Sequence, residues 1–300
     1  MTDNPNPLDR LVRIGWDALD AARRGEPMTI DRLRRNAQDA LENARRSIFE
    51  EEALKEFHLQ FPLDHAVSAD VDLELSVGES HIHALSAEDR GQLLADAHLR
   101  YLGVLAFGVS GDIQRVMHIR QATPLTMGWA NPVHWTTRPR WDVGLARRIP
   151  LSVRIQGGVG DANVNLDGLQ VQSLRVEANI GGMNITLPAD SPSFAGTLRG
   201  GAGVLALNVP QEASAAFAVR GGLGGIMVNI AAGAAVQVNV AGGTGQVEMM
   251  PGFSKIEAAA PGLPNTAVWQ TPEFLGSARR VVINLSEGLF GNLAVRVLYP

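Results

Sequence analysis

Histidine is the residue type best placed to do chemistry in this chain. His81-Ile82-His83 lies in an alternating stretch. On a strand the two imidazoles share one face, a spacing that can chelate zinc, with His98, His118 or Glu79 as third ligand. The same pair serves equally on a wet strand face. With 7 His and no Cys in the chain, no metal is the expectation, and His81 and His83 stand as the fallback candidates. The lack of cysteine also removes disulfides, Cys-ligated zinc, iron–sulfur clusters and thiol nucleophiles, and fits a reducing compartment.

Other chemistries fail on pattern. The phosphate loop that ends in Lys-Ser/Thr is absent, and the glycines of Gly221–Gly225 fall between strands, whereas dinucleotide binding needs a helix N-terminus. Ser110, in Phe107-Gly108-Val109-Ser110-Gly111-Asp112, does not fit a nucleophile elbow and reads as a turn residue. A glycosidase or lyase needs carboxylates placed close together on one surface. Asp161, Asp167, Glu177, Asp190, Glu212 and Glu248 are scattered along the chain. No catalytic residue and no cofactor is expected, and the chain reads as a non-enzyme. A carbohydrate-active or metal-dependent enzyme is the alternative, decided by a clustered carboxylate or histidine site.

Aromatic residues make up 5% of the chain, yet Trp129, Trp135 and Trp141 recur at six-residue steps among Pro132, His134, Arg138 and Pro139. Exposed ends of a stacked fold need covering, so the stretch reads as a cap, with Trp141 opening the first repeat. Trp129, Trp135 and Arg138 are the candidates for a secondary partner surface, because aromatics with Arg can grip a sugar, a peptide or a protein.

The elements that carry these residues follow from composition. The 300 residues are 45% hydrophobic and 19% charged, with 32 Gly, a net charge of −5 and a pI near 5.8. That hydrophobicity opposes disorder, the glycines oppose a helix bundle, and the acidic balance opposes a broad nucleic-acid surface. Residues 1–60 hold 10 Lys/Arg and 12 Asp/Glu, whereas residues 151–300 hold 8 and 9 and carry 23 of the glycines. A shift of this size separates two structural types.

The first type is helical. Ile30, Leu33, Ala37, Leu41, Ala44 and Ile48 recur at three- and four-residue steps behind Thr29 as N-cap, with Leu8, Leu11, Val12, Trp16 and Leu19 as a shorter stripe upstream. The stripe must be covered, and Ile30, Leu33, Ala37, Leu41 and Ile48 form the expected association face. Covering by a second copy or a protein partner is the first expectation. A membrane surface, with Leu8, Leu11, Val12 and Trp16 inserted, is the second. The polar start Met1–Pro7 does not resemble a secretory signal, and Gly221 to Val247, though uncharged over 27 positions, carries eight glycines and the strand alternation of Val236–Val240. The expected location is cytoplasmic, or peripheral to the inner membrane.

From Pro62 the period becomes two. Val67, Ala69, Val71, Leu73, Leu75 and Val77 alternate with polar residues, and further strands are expected at 97–101 and 116–121. After Pro150 a short alternating strand runs repeatedly into a glycine pair, at 157, 181, 200, 221 and 242, in steps of 24, 19, 21 and 21 residues. A repeat near twenty residues signals stacked units with Gly at one corner of each. The predicted architecture is a β-solenoid or strongly coiled sheet over 62–300, preceded by the helical segment 1–61. A Greek-key sandwich is the fold-level alternative.

One resemblance supports this. Trp141-Asp142-Val143-Gly144-Leu145 leads through Ile149-Pro150-Leu151 and Gly157-Gly158-Val159-Gly160 to a strand and a second glycine turn ending in Leu187-Pro188. This pattern resembles the bacterial toastrack-type domain of LiaF-like cell-wall-stress proteins and related proposed adhesins, over roughly 65–300. The resemblance implies a mainly β, right-handed, solenoid-like fold, no enzymatic activity and a place in envelope stress or signalling. LiaF-like proteins carry transmembrane helices ahead of the domain, where this chain has a charged helical segment. The combined expectation is a scaffold or oligomerising module, self-associating or bound to a protein partner.

Overall fold

A computed structural model describes residues 54–75, 77–86, 91–121, 139–178, 180–222, 224–241, 247–249, 251–257, 266–286 and 293–298. The chain divides into two units, Met1–Leu54 and Lys55–Pro300. The expected helical stripe lies outside the described residues. The sheet starts at Lys55, not at Pro62. Residues 55–61, assigned from sequence to the helical segment, are strand β1 (Lys55–Pro62), in which Leu59 and Phe61 point inward at a period of two.

The described part is mainly β, with two sheets facing each other across one core. From Pro150 to Ala231 the chain crosses between them from each strand to the next. Strands β8 (Pro150–Gln156), β10 (Gln170–Glu177), β12 (Phe194–Arg199) and β14 (Ala215–Arg220) stack in sheet II, and β9 (Ala162–Asn165), β11 (Met183–Thr186), β13 (Val204–Val209) and β15 (Gly225–Ala231) stack in sheet I. Every neighbouring pair among them is parallel, as Arg175 beside Thr197 and Asn184 beside Asn163 illustrate. A Greek-key sandwich is antiparallel, so these ladders exclude it.

The expected repeat is present, but its spatial order is not simply sequential. Strands β2 (Ser68–Glu74) and β3 (Glu79–Ala84) lie between β8–β9 and the pair β6 (Gln114–Gln121) and β7 (Arg140–Leu145). At the other end β20 (Val281–Ser286) and β21 (Leu293–Leu298) lie between β14–β15 and the pair β16 (Val236–Ala241) and β17 (Val247–Met249). Each end of the stack therefore has one rung inserted between two rungs that follow each other in sequence. Beyond them the strands reverse. β4 (Leu93–Tyr101) runs antiparallel between β1 and β7, β5 (Leu105–Ser110) runs antiparallel to β6, and sheet II closes with β19 (Ala267–Gln270) antiparallel to β16 and β18 (Ser254–Glu257) antiparallel to β19.

Alternation explains the core. Ala69, Val71 and Leu73 of β2 point inward into one continuous core that runs along the stack through Val153, Ile155, Val176, Leu198 and Val219 of the same sheet and Val164, Ile185, Leu207 and Val228 of the other, all buried. The interior is narrow, and Phe217 shows how narrow. Its ring stands edge-on to Phe194 at 5.7 Å and fills the place of a side chain on Gly196, its partner in the adjacent strand. Full burial of such an aliphatic or aromatic side chain contributes about 1.5–3 kcal/mol.

The glycine corner is where sheet II hands over to sheet I. Gly181 and Gly203 have φ of +121° and +152°, a backbone that L side chains rarely adopt. Gly78, Gly160, Gly181, Gly203 and Gly224 also stack in one column. A Cβ on Gly181 would meet the Gly160 carbonyl oxygen at 2.1 Å, and one on Gly203 the Gly181 oxygen at 1.9 Å. Asp161 joins successive corners, accepting the Gly182 N–H at 2.9 Å.

Candidate functional site

The outward faces are where this fold can meet anything else, and period-two alternation decides which residues they present. On sheet I the middle of the face is an asparagine ladder. Asn229 Nδ2 donates to Asn208 Oδ1 at 2.7 Å, Asn208 Nδ2 to Asn184 Oδ1 at 2.6 Å, and Asn184 Nδ2 to Asn163 Oδ1 at 3.4 Å. These amides satisfy one another along the stack.

Toward β1 the same face turns to histidine and aspartate. His81 and His83 share the outward face of β3 as the sequence predicts, with Ile82 buried between them. His83 is engaged at both ring nitrogens, Nδ1 at 3.0 Å from the Ala84 carbonyl and Nε2 at 2.8 Å from Asp142 Oδ1. Of the expected third ligands, Glu79 starts β3 itself, two residues before His81 and on the same face, whereas the two histidines lie elsewhere. His118 lies in sheet II against Gly108 of β5, and His98 lies in β4, with β7 between it and β3. Among the described residues the ligand atoms that do come together are those of His58, Asp96 and His98, all within 4.8 Å of one another. His58 and His98 are direct cross-strand partners with rings stacked at 3.8 Å, and His58 Nε2 is 2.5 Å from Asp96 Oδ1. Sequence reading missed His58 and Asp96 because the first was placed in the helical segment. The usable signal was the alternation of His58, Gln60 and Pro62 against Leu59 and Phe61.

The outward face of sheet II is charged. Asp72, Arg154 and Arg175 lie in one row, and Glu74, Gln156, Glu177, Arg199 and Arg220 in the next. Arg175 donates to Glu177 Oε1 through Nε at 3.1 Å and a second guanidinium nitrogen at 2.7 Å. That hydrogen bond, helped by the charges of Arg175, Arg154 and Arg199 and opposed by slight desolvation, holds the Glu177 carboxyl below its ordinary range. Beside the glycine column a pocket lined by Gly78, Gly160, Asp161 and Gly181 has a volume of about 10 Å³, room for roughly one water.

Ser110 ends β5 as an exposed residue. Trp141 is fully buried in β7, filling the core at the start of the repeat region. Trp129, Trp135 and Arg138 lie outside the described residues, as do Ile30, Leu33, Ala37, Leu41 and Ile48. No helix among the described residues is long and apolar enough to cross a membrane.

Residues 49–208 match the family described as the N-terminal domain of toast_rack, DUF2154. The chain belongs to the toast-rack family. The glycine turns over 141–188 that carry the sequence resemblance lie inside the matched region. Its fold is similar to the crystal structure of a proposed cell adhesion protein from Clostridium sporogenes, with a TM-score of 0.54 at 14% identity over 82% of this chain and 100% of that one. A proposed adhesin from Bacteroides fragilis aligns with a TM-score of 0.34 at 12% identity, over 81% of this chain and 97% of that one. No curated protein matches the sequence.

Proposed function

We propose that this toast-rack protein is a non-catalytic β-solenoid scaffold that brings copies of itself, or a protein partner, together in a bacterial envelope-stress or signalling assembly. The observation that carries the reading is the outer surface of the two sheets. The asparagine ladder and the Arg175–Glu177 pair satisfy their polar groups within the stack, and the pocket at the glycine corner is too small for an organic substrate. Such a surface is suited to holding shape and presenting attachments. Family membership and the likeness to the Clostridium sporogenes fold support a binding module. The association element in this reading is the stripe Ile30, Leu33, Ala37, Leu41 and Ile48, with Trp129, Trp135 and Arg138 as a second surface. The location in this reading is cytoplasmic or peripheral to the inner membrane.

Light-scattering mass of the full chain, beside a Leu33→Glu/Leu41→Glu variant, tests it. Wild type is expected as an oligomer and the variant as a monomer with unchanged strand circular dichroism. A monomeric wild type across micromolar concentrations that also captures no protein partner would overturn the reading.

A further inference from the structure

We propose that His58, Asp96 and His98 form a binding site for a divalent transition-metal ion of the zinc class on the outer face of sheet I. The inference is independent of the scaffold reading. β1 and β4 are antiparallel with His58 directly opposite His98, so the two imidazoles project from the same face. Asp96 lies two residues before His98 and shares that face. The two rings lie face to face, 3.8 Å apart and 16° from parallel. Both turn Nε2 toward one carboxylate oxygen, at 2.5 Å from His58 and 3.9 Å from His98.

Those separations bracket what an ion requires. Four-coordinate zinc with bonds near 2.0 Å sets its ligand atoms about 3.3 Å apart. The three donor atoms already lie within 4.8 Å of one another, so side-chain torsions alone can close the site. Two imidazoles and one carboxylate suit zinc and its neighbours in the first transition row, and the Cys-free chain offers no thiolate to compete. The side chains are 46%, 21% and 64% exposed for His58, Asp96 and His98, so an ion enters from solvent and its remaining position takes water or a donor from another molecule. The adjacent carboxylate, Asp142 opposite His98 on β7, is already held by His83 at 2.8 Å and Arg140 at 3.5 Å.

Placement supplies a consequence. β1 is the end strand of sheet I, and among the described strands β4 is its sheet neighbour. An ion coordinated by His58 from β1 and by Asp96 and His98 from β4 pins the end strand to the sheet, and binding to the folded form alone raises stability.

The test uses the full chain, stripped with chelator and dialysed, titrated with zinc chloride by calorimetry and with cobalt chloride by visible absorption. Wild type is expected to bind one equivalent at this site, to show cobalt d–d bands and to unfold at higher temperature with zinc. His58→Gln, Asp96→Asn and His98→Gln are each expected to weaken zinc binding at least tenfold and to lose the thermal shift, with strand circular dichroism intact. His81→Gln and His118→Gln are expected to bind as wild type does. A wild type that takes up neither metal overturns the site, as does binding that survives all three ligand changes. Loss of binding in His81→Gln with retention in His98→Gln overturns it in favour of the β3 histidines.

Discussion

The Gly181 carbonyl oxygen lies where a Cβ on Gly203 would be, 1.9 Å from that ideal position. The obstacle is backbone belonging to the neighbouring rung, so it cannot rotate away as a side chain would. Gly203→Ala is therefore expected to cost at least about 3 kcal/mol, combining left-handed backbone strain with a steric shift of the stack. Gly276→Ala is the control, since its backbone has φ of −91° and nothing approaches its Cβ within 4 Å. Equal urea midpoints for the two variants would refute the glycine column as a structural requirement.

Two buried hydroxyls do the work of missing strand neighbours. Ser191 Oγ accepts the Val171 N–H at 3.0 Å and donates to the Val171 carbonyl at 3.1 Å. Thr271 Oγ1 accepts the Val236 N–H at 3.0 Å and donates to the Ala234 carbonyl at 2.9 Å. Thr271→Val keeps the shape and strands both backbone groups, so denaturant unfolding should show a loss of about 1–3 kcal/mol. A neutral result would mean that those groups find other partners.

Glu177 provides the pH-dependent observable. Its carboxyl is held below the ordinary range first by the hydrogen bond from Arg175, so the charged pair is present above the ordinary glutamate pKa and is lost as pH falls through the lowered one. The side-chain NMR titration midpoint of Glu177 should rise toward the ordinary value in Arg175→Ala. An unchanged midpoint would assign the shift to the wrong partner.

What was legible in the sequence had a local cause. The alternation at 67–77 marks β2, and the glycine-rich runs at 157–160, 181–182, 200–203 and 221–224 mark the corner where four successive rungs pass from sheet II to sheet I, because strand faces and tight turns are properties of adjacent residues. The order of the rungs is not local. Val281-Val282-Ile283-Asn284-Leu285-Ser286 has the same pattern as any other sheet II strand, and nothing within it says that it docks between β14 and β16. The histidine–aspartate cluster was hidden for the same reason. His58 and His98 meet through an antiparallel pairing of distant segments, whereas His81 and His83 stood out only by being two residues apart.

The scaffold account rests on one continuous stack with its last rung built into the interior of the sheets, and the Cys-free chain permits a direct test of that order. Ala218 of β14 and Asn284 of β20 are outward-facing Cα partners, and Asn239 of β16 partners Asn284 from the other side. Adjacent strands lie about 4.8 Å apart, within disulfide reach, whereas two strands separated by a third lie about twice that distance apart and beyond it. Mild oxidation of Ala218→Cys/Asn284→Cys and of Ala218→Cys/Asn239→Cys, read as intramolecular disulfide by mass spectrometry, is the measurement. The account predicts rapid closure in the first pair and none in the second. Closure of Ala218→Cys/Asn239→Cys in place of the first would contradict it, showing that the rungs stack in simple sequence order.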